Sequence, residues 1–406
     1  MTTIGIVGTG ISGLQLALRL QQLGIEVVVY SAQELDQLAT GRPRNFPARF
    51  GPTQQRERQL GVFDWDTADA QVCRWDVTVG AGDHTLAFHG ELLPPSSVVD
   101  FRLYLPHLCA RFAERGGKVI VGERPITEVA EQHDLVVVAN GDRSMRELFP
   151  RDASRSVFDA PQRILCSGLY RGISEDTPQS LDLCLIPGIG EIFRIPFLTP
   201  QGRADVLAFE AVPGGPLEPI SRVDPAVEPV RFYRDVLALL GEFAPGLRER
   251  VDGQDFTLIG PGELAQGSVT PMVRHGWATL PNGKCAIAIG DAWITNDPLT
   301  AQGANLGSHT AFALADLLVA QAGGYDETFC RAASEQLWTH ARNVVDWSAA
   351  FLGPAPAHTT ALFARAAEDK RIAEAFINNF NDPVAMWQSL AGPRGTESFL
   401  AEYIEE

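Results

Sequence analysis

The N-terminal part of the sequence constrains the fold more than any other stretch. Residues 3–8 (TIGIVG) are predicted to form a buried strand, residues 11–23 a helix, and residues 26–31 a second strand. Strands joined by a helix in this way lie parallel in one sheet, because the helix carries the chain back to its starting edge. The sequence therefore predicts an α/β fold with a parallel, Rossmann-like sheet.

A glycine motif, GTGISG, joins the first strand to the helix. Gly8 would allow a tight turn, Gly10 would let the backbone approach a pyrophosphate, and Gly13 would let the helix pack closely on the strand. The N-terminus of the helix would offer free N–H groups and partial positive charge to the phosphates. The motif predicts a dinucleotide site. Its predicted phosphate-binding residues are Gly8, Gly10, Ile11, Ser12 and Gly13.

The end of the second strand departs from the usual dinucleotide site. In both FAD- and NAD-binding proteins an acid at this position usually binds the ribose hydroxyls, whereas this chain has Ser31. Glu34, three residues later, could replace that acid or could be a solvated loop charge. The glycine motif therefore leaves FAD and NAD open, and Ser31 predicts weak binding of the adenosine ribose.

Composition excludes several classes of function. The formal net charge of −17 is unfavourable for binding nucleic acid, whose phosphates require a basic surface. The six cysteines form no CxxC pair and no zinc-type cluster with histidine, so we expect buried thiols in a reducing cytoplasm and no metal site. The sequence has no apolar run of 18 residues, so we expect no membrane span.

Later segments predict a second sheet within the α/β frame. Apolar stretches separated by Pro and Gly turns, such as GEIFRIP, are typical of antiparallel strands, and α/β character returns at CAIAIGDAW. We therefore divide the chain into a discontinuous nucleotide-binding domain at residues 1–155 and 267–320 with substrate-side segments around 45–100, a mainly antiparallel substrate domain at 156–266, and a helical C-terminal region at 321–406.

Two local predictions concern the segments beside the nucleotide site. Residues 36–56 are rich in Arg, Pro and Gly without a clear period, which is typical of an irregular functional loop. Residues 100–115 are amphipathic and predict a helix. Because Pro106 lies inside this pattern, we expect the helix to start near Leu105.

The segment GDAWITNDPLTAQGAN, residues 290–305, decides the cofactor. It closely resembles the second FAD motif of flavin monooxygenases of the aromatic-hydroxylase type, which implies an FAD-binding fold of the glutathione-reductase type. The resemblance implies that Asp291 binds a ribityl hydroxyl and that a positive helix N-terminus faces the flavin. The residues implied to bind FAD here are Gly290 and Asp291, with Pro298, Gln302, Gly303, Ala304 and Asn305 facing the flavin.

Basic residues are expected at the FAD phosphates. Arg102 matches a family feature, an arginine whose planar fork suits phosphate oxygens, although a solvated helix charge is the alternative interpretation. Arg42, Arg44 and Asn45 lie in the loop after the second strand and are expected to contact the cofactor. For Arg49 we favour contact with an FAD phosphate or with solvent over pairing with an acidic substrate.

Segments along the chain resemble, in order, the oxygenase component of styrene and indole monooxygenases, among them GIVGTGISGLQLALRL, PPSSVVDFRLYLP and TPMVRHGWATLPNGK. The resemblance implies a two-component enzyme in which a separate NADH-dependent flavin reductase supplies reduced FAD. The oxygenase would form a C4a-hydroperoxyflavin with O₂ and transfer one oxygen atom to a C=C bond of styrene or indole, or to a thioether sulfur. No covalent protein catalyst is implied, and the oligomeric state stays open, with a homodimer as one option.

Residues at the implied substrate pocket are mixed between the styrene and indole branches. Asn45 and Ser96 match the styrene branch, Val72 matches the indole branch, and Trp75 matches neither. Aromatic walls are typical of apolar ligand sites, although these side chains could equally be plain core. The expected pocket residues are Asn45, Phe46, Pro47, Arg49, Val72, Trp75 and Ser96.

Other interpretations compete with the two-component enzyme. Residues 139–146 (ANGDRSMR) resemble the ADGxxSxVR signature of single-component aromatic hydroxylases, which use NAD(P)H directly, with Asn140 in place of Asp. A non-catalytic FAD-fold binding protein is the second alternative, but it would not need the DPLTAQGAN loop intact. An NAD-dependent dehydrogenase would need a base or metal at a second site, which we do not find.

Overall fold

The computed structural model describes residues 3–80, 82, 85–142, 145, 147–175 and 177–403. The strands are β1 (Thr3–Val7), β2 (Glu26–Ser31), β3 (Gln71–Val79), β4 (Leu86–Ser97), β5 (Lys118–Val121), β6 (Leu135–Val138), β7 (Ile164–Arg171), β8 (Ser180–Ile186), β9 (Gly190–Thr199), β10 (Gly202–Ala211), β11 (Thr257–Leu258), β12 (Leu264–Ser268), β13 (Met272–Val273), β14 (Trp277–Thr279), β15 (Cys285–Ala288) and β16 (Ile294–Thr295).

The helices are α1 (Ile11–Gln22), α2 (Leu35–Thr40), α3 (Gly51–Leu60), α4 (Phe101–Glu114), α5 (Ile126–Gln132), α6 (Pro229–Phe243), α7 (Pro245–Glu249), α8 (Gly303–Ala320), α9 (Glu327–Leu352), α10 (Ala357–Glu368), α11 (Lys370–Asn378), α12 (Pro383–Leu390) and α13 (Pro393–Ala401). Short 3₁₀ turns lie between them. Within the described ranges, every helix is too short or too polar to span a bilayer.

A mostly parallel sheet forms the first layer, with the strand order β14-β15-β6-β1-β2-β5. Its central strands are fully buried apolar runs, as β6 (LVVV) illustrates, because helices cover both faces of a parallel sheet. Among the described strand pairs of this sheet, the edge pair β14–β15 alone is antiparallel. The carboxyl ends of β1, β6 and β15 lie side by side, so the three segments that follow these strands meet at one edge.

A second, mainly antiparallel sheet has the order β11-β7-β10-β9-β8-β3-β4, and β12 also pairs with β7. The pair β3–β8 is parallel. The predicted fold class is confirmed: a parallel Rossmann-like sheet, a mainly antiparallel second sheet and a helical C-terminus. Strands β3 and β4 bring residues 71–97 into the second sheet, well before the main block of its strands.

Two local predictions are wrong. Residues 36–56 are not irregular throughout, because residues 36–40 belong to α2 and residues 51–56 belong to α3. Helix α4 starts at Phe101 rather than near Leu105. The Asp100 carboxylate accepts a hydrogen bond from the Arg102 N–H at 2.8 Å and so caps the first turn. Burial of one apolar face then holds the helix through Pro106.

The C-terminal helices pack onto the second sheet. The Asn378 side chain donates to the Glu91 carbonyl and accepts from the Leu93 N–H, both at 2.8 Å, which joins α11 to β4. Gly90 on β4 allows this contact, since a side-chain carbon there would lie 2.9 Å from the Cα of Glu374. The helical region therefore covers one face of the sheet that we expect to bear the substrate site.

Candidate cofactor and substrate site

The glycine motif forms a close-packed turn at the end of β1. A side-chain carbon at Gly8, whose φ is +122°, would lie 2.8 Å from the Asn140 backbone nitrogen. A carbon at Gly13 would lie 2.2 Å from the Gly8 carbonyl oxygen. At Gly10, by contrast, the nearest such atom is 4.0 Å away, so nothing in the described chain requires glycine there. The open space at Gly10 suits a group that approaches from outside, as a pyrophosphate would.

The N-terminus of α1 borders this open space. The first hydrogen bond of the helix runs from the Leu14 N–H to the Gly10 carbonyl at 3.0 Å. The N–H groups of Ile11, Ser12 and Gly13 therefore have no acceptor within the helix. Within the described chain, no side chain caps this terminus. Such a terminus is suited to binding a phosphate.

Ser12 lies where the glycine motif meets the segment at residues 290–307. Its hydroxyl occupies the space beside Gly290 and Gly307, since a side-chain carbon at either glycine would lie within 2.5 Å of it. Asp291, next to Gly290, is exposed and packs against Gly141 at the end of β6. The structure thus places the glycine motif, the β6 end and the 290–305 segment together at one sheet edge.

A second helix N-terminus, that of α8, follows the 297–302 loop. Its first intrahelical bond runs from the Leu306 N–H to the Gln302 carbonyl at 2.8 Å, and Gly303 borders open space. Pro298 is exposed, and Ala301 has a φ of +52° as the loop turns into the helix. The Gln302 side chain, in contrast, is buried and donates to the Phe380 carbonyl at 3.2 Å. Backbone groups, rather than the Gln302 amide, are therefore available at this terminus.

The Asn305 side chain holds the predicted substrate loop against α8. Its oxygen accepts from the Phe50 N–H at 2.9 Å and from the Thr53 hydroxyl at 2.8 Å. Its NH₂ group donates to the carbonyls of Ala48 and Ala301, both at 2.9 Å. All of its hydrogen-bonding capacity is thus used inside the protein. Asn305 positions the loop, and only its backbone N–H is available to a cofactor.

Ser31 is bonded locally at the end of β2. Its hydroxyl donates to the Gln33 carbonyl at 2.6 Å, accepts from the Gln33 N–H at 3.2 Å and lies 3.1 Å from the Thr9 hydroxyl. The side chain is buried. The Glu34 side chain is used instead in a capping box with Gln37 at the start of α2. No described acid therefore takes the usual ribose position at Ser31.

The predicted phosphate-binding arginines differ in their surroundings. Arg42 and Arg44 are exposed, as is Asn45. Arg102 is buried and binds two carboxylates, those of Asp100 and Glu263. Burial lowers the pKa of Arg102, but the hydrogen bonds to Glu263 and Asp100 outweigh this effect and raise it. Arg42, Arg102 and Glu263 line a cavity of about 290 Å³.

Arg49 does not face solvent, so that part of its interpretation is wrong. Its side chain is fully buried, its Nε lies 2.8 Å from Glu57 Oε1, and its guanidinium stacks 4.1 Å from the Tyr104 ring centre. The Tyr104 hydroxyl donates to the same Glu57 oxygen at 2.7 Å and accepts from Gln15 at 2.8 Å. Burial and the Glu57 charge raise the pKa of Tyr104 well above its ordinary value. This buried network links α1, α3 and α4.

Sequence reasoning missed most of that network. Gln15 and Glu57 are polar residues on the buried faces of α1 and α3. A polar residue within an apolar helical stripe is the signal that could have identified Gln15, because a buried polar group needs a partner. Helix α3 has no such stripe, so its sequence gives no comparable signal for Glu57. The partner itself, however, comes from a distant helix and cannot be read from one stretch of sequence.

An aromatic cluster surrounds several of the predicted pocket residues. The Phe380 ring centre lies 4.3 Å from that of Trp75, 5.1 Å from Trp347 and 6.0 Å from Phe50. Phe46 contacts Phe197 edge-to-face at 5.8 Å. These rings pack against one another as part of the buried core of the second sheet, which excludes water. Val72 and Ser96 are also fully buried, opposite each other on β3 and β4, and Pro47 is buried beside Phe46.

The 297–302 loop carries a buried carboxylate. Asp297 Oδ1 accepts from the Leu299 N–H at 3.2 Å, and burial raises the pKa of Asp297 to about 6. Burial also raises the pKa of Glu210, with further contributions from the charges of Asp297 and Glu191. The Arg163 guanidinium binds Glu191 at 2.6 and 2.7 Å. Acidic groups thus outnumber basic ones beneath this loop.

The segment at residues 139–146 is only partly described. Asn140 donates to the Asp142 carboxylate at 2.7 Å and its oxygen accepts from the Asp142 N–H. Residues 143, 144 and 146 of the predicted NAD(P)H signature lie outside the described residues. The position of Gly141 against Asp291 places this turn at the edge expected to bind the cofactor.

Comparisons with known proteins agree with this fold. A family model described as "Styrene monooxygenase A putative substrate binding domain" matches residues 141–250, which include β7–β10 and α6. Two solved structures share the architecture at 14% identity: a triple mutant of the flavin-dependent brominase Bmp2, with a TM-score of 0.70 over 99% of both chains, and p-nitrophenol 4-monooxygenase PnpA from Pseudomonas putida DLL-E4, with a TM-score of 0.61 over 95% of this chain and 99% of that one. At this identity they establish the fold alone.

A relative identifies the family. The chain is 32% identical over 407 aligned residues to the protein named Styrene monooxygenase StyA from Pseudomonas fluorescens, and the alignment covers 98% of each chain. The match therefore includes the glycine motif, the antiparallel sheet and the C-terminal helices together. The predicted resemblance is confirmed: the chain belongs to the styrene monooxygenase family and is a flavin-dependent monooxygenase.

Proposed function

We propose that this chain is the oxygenase component of a two-component FAD monooxygenase that epoxidises an aromatic alkene. The observation that carries the proposal is the match to Styrene monooxygenase StyA over 98% of both chains. A separate NADH-dependent flavin reductase would supply reduced FAD, and O₂ would be the co-substrate. Indole and thioethers are further substrates to be tested.

The residues at the sheet edge fit FAD. Two helix N-termini without side-chain caps, those of α1 and α8, meet across the contact between Ser12 and Gly307. The open space at Gly10 would admit the pyrophosphate, and the exposed Asp291 carboxylate would accept a hydrogen bond from a ribityl hydroxyl. Bound reduced FAD would supply the two electrons that split O₂, with one oxygen atom entering the substrate and the other leaving as water.

The protein would contribute binding, orientation and exclusion of water. The backbone N–H groups at the start of α8 would stabilise negative charge that develops near them. Asn305 would hold the 48–53 loop at a fixed distance from that terminus. The cluster around Phe380 would bind the ring of the alkene and keep water away from the reacting atoms.

A product screen tests the proposal. Purified protein would be supplied with FAD, an NADH-dependent flavin reductase and air, and offered styrene, indole or thioanisole. We expect styrene oxide from styrene, with no product when the protein is left out. The absence of any oxygenated product with fully reduced flavin would contradict the proposal and favour a non-catalytic binding protein.

One control separates the two enzyme classes. NADH added to the FAD-loaded protein without a reductase should not bleach the flavin absorbance. Direct bleaching would overturn the two-component proposal and support the single-component hydroxylase that the 139–146 segment suggests. The same assay with added reductase shows that the flavin in the sample can be reduced.

A further inference from the structure

Every donor of the Arg102 guanidinium is engaged inside the protein. Its Nε and Nη2 donate to Asp100 at 3.0 and 2.7 Å. Its Nη1 and Nη2 donate to the two oxygens of Glu263 at 2.9 and 2.8 Å, and Nη1 also reaches the Gly41 carbonyl at 3.4 Å. A guanidinium has five N–H donors, and these contacts use them all. No donor is left for a phosphate in this arrangement.

The two carboxylates that bind Arg102 come from different parts of the fold. Asp100 is the cap of α4, so its bond to the Arg102 side chain belongs to the structure of that helix. Glu263 comes from the segment that precedes β12 in the other sheet, where its carbonyl accepts from the Leu169 N–H at 3.0 Å. Neither carboxylate is more than 9% exposed. The contact between Arg102 and Glu263 therefore joins the two layers through a buried, nearly ideal fork.

The two carboxylates of this fork would repel a cofactor phosphate. Arg102 carries one positive charge against two carboxylates, so the group has a net negative charge. Glu263 and Arg102 both line the cavity of about 290 Å³, and Arg42 also lines it, with its side chain beside Gly262. A pyrophosphate that entered this cavity would meet a buried carboxylate and an arginine with no free donor. Carboxylate and phosphate compete for the same bidentate geometry.

We propose that Glu263 is a latch that holds Arg102 away from the FAD pyrophosphate and thereby weakens flavin binding. FAD would bind in full only when its pyrophosphate displaces Glu263 from the guanidinium, while Asp100 keeps Arg102 in place. Weak binding suits an oxygenase that receives reduced flavin from a reductase and returns the oxidised form. The inference rests on the proposed function for the identity of the ligand, and it makes Glu263 a positioning residue.

Glu263→Gln is the direct test. Glutamine keeps the shape and one acceptor for Arg102 but removes the charge that opposes the pyrophosphate. We expect the dissociation constant for FAD to fall about tenfold, for oxidised FAD in air and for reduced FAD under anaerobic conditions, with slower release of both. Both forms carry the same pyrophosphate, so they should shift alike. An unchanged or a higher dissociation constant would overturn the inference, since a merely structural role for Glu263 could only weaken binding.

Two further variants keep the test sharp. Glu263→Asp retains the charge on a shorter arm, and we expect it to tighten binding less than glutamine does. In the double variant Arg102→Met with Glu263→Gln, the gain should disappear, because the gain acts through Arg102. A gain that persists in the double variant would overturn the latch. Circular dichroism melting curves would identify any variant whose change in affinity comes from partial unfolding.

A matched control uses another buried arginine–carboxylate pair. Arg194 binds Asp205 at 2.6 Å, and Asp205 is not among the residues expected to contact FAD. Asp205→Asn should leave the FAD dissociation constant unchanged. All these titrations use protein and flavin alone, without substrate or reductase. If the inference about Glu263 is wrong, the FAD dissociation constant of Glu263→Gln will be unchanged or higher in these titrations. If the proposed function is wrong, the only sign will be missing product in the epoxidation assay.

Discussion

At the scale of single residues, the three glycines of the N-terminal motif serve different needs. Gly8 and Gly13 are required by the protein itself, because a side-chain carbon at either would collide with backbone atoms. Gly10 meets no such obstacle, so its need for glycine arises only with a ligand. The motif thus contains a structural part, which any fold of this type must satisfy, and a binding part, which predicts a pyrophosphate.

Asp291 offers the clearest single-residue prediction. Asp291→Ala should weaken FAD binding by about 10- to 100-fold, because one hydrogen bond from a sugar hydroxyl to a charged group contributes about 1.5–3 kcal/mol. The side chain is exposed, so its removal opens no cavity and the melting temperature should hardly change. Fluorescence titration with FAD and a thermal melt would check both statements. Asp316→Ala, an exposed carboxylate further along α8, is the control and should bind FAD normally.

The sequence predicts the charge of a single residue more easily than it predicts which residue that charge will bind. The sequence indicates that Arg102 and Arg49 are positive and that positive groups suit phosphates. Their partners come from distant segments: Glu263 lies 161 residues from Arg102. Glu57 lies only eight residues from Arg49, on α3, but the Tyr104 hydroxyl that shares its carboxylate comes from α4, 47 residues further along the chain. Pairings of this kind follow from tertiary packing, which a local pattern does not contain.

At the scale of elements, the 297–302 loop combines a turn that leads into the start of α8 with a buried charge. Asp297 is 1% exposed, and its pKa is raised from 3.8 to about 6 by burial. Because the folded state holds the proton more tightly than the unfolded state, the stability from this group is fully present below pH 4. It is lost as the pH rises through about 6, by up to about 3 kcal/mol.

Asp297→Asn should remove this pH dependence. Asparagine is an equally good cap for the turn at Leu299, so the loop should keep its conformation. We expect the variant to gain stability relative to the parent as the pH rises from 4 to 7, by about 2–3 kcal/mol. Urea unfolding at several pH values measures the difference directly, and a constant difference would contradict the raised pKa.

Asp224→Asn provides the matched control for that measurement. Asp224 makes a similar bond, from its carboxylate to the Ala226 N–H at 2.8 Å, but it is exposed. A slope in this control equal to that of Asp297→Asn would mean that burial is not the cause.

Regular elements were predicted well where one periodicity dominates. The strand–helix–strand unit at the N-terminus has uninterrupted apolar runs, and its bounds agree with the structure to within about one residue. The start of α4 differs from the predicted one because the Asp100 cap, rather than Pro106, determines where the helix begins. Helices α2 and α3 have few buried apolar residues, and in α3 the buried set includes Thr53, Gln54 and Glu57. A hydrophobic pattern cannot reveal helices whose buried face is polar.

At the scale of the whole molecule, the C-terminal helices belong to the same core as the second sheet. The Phe380 ring, which follows α11, contacts Trp75 on β3, Trp347 on α9 and Phe50 at the start of α3. Gln302, at the start of α8, donates to the Phe380 carbonyl. Phe380 thus contacts the second sheet, the 48–53 loop and the 297–302 loop. The region predicted as a separate C-terminal segment is therefore expected to unfold together with the rest.

Phe380→Ala tests this coupling. Removing a ring that is 5% exposed should cost about 3–5 kcal/mol through lost contacts and the cavity left behind. Because the ring joins several segments, we expect differential scanning calorimetry to show one transition that moves down as a whole. Phe399→Ala, a half-buried residue on α13, should shift it much less. A separate low-temperature transition in Phe380→Ala, with the main one unmoved, would show that the helices form an independent unit. Epoxidation by the variant should fall as well, because the enlarged space admits water beside the substrate.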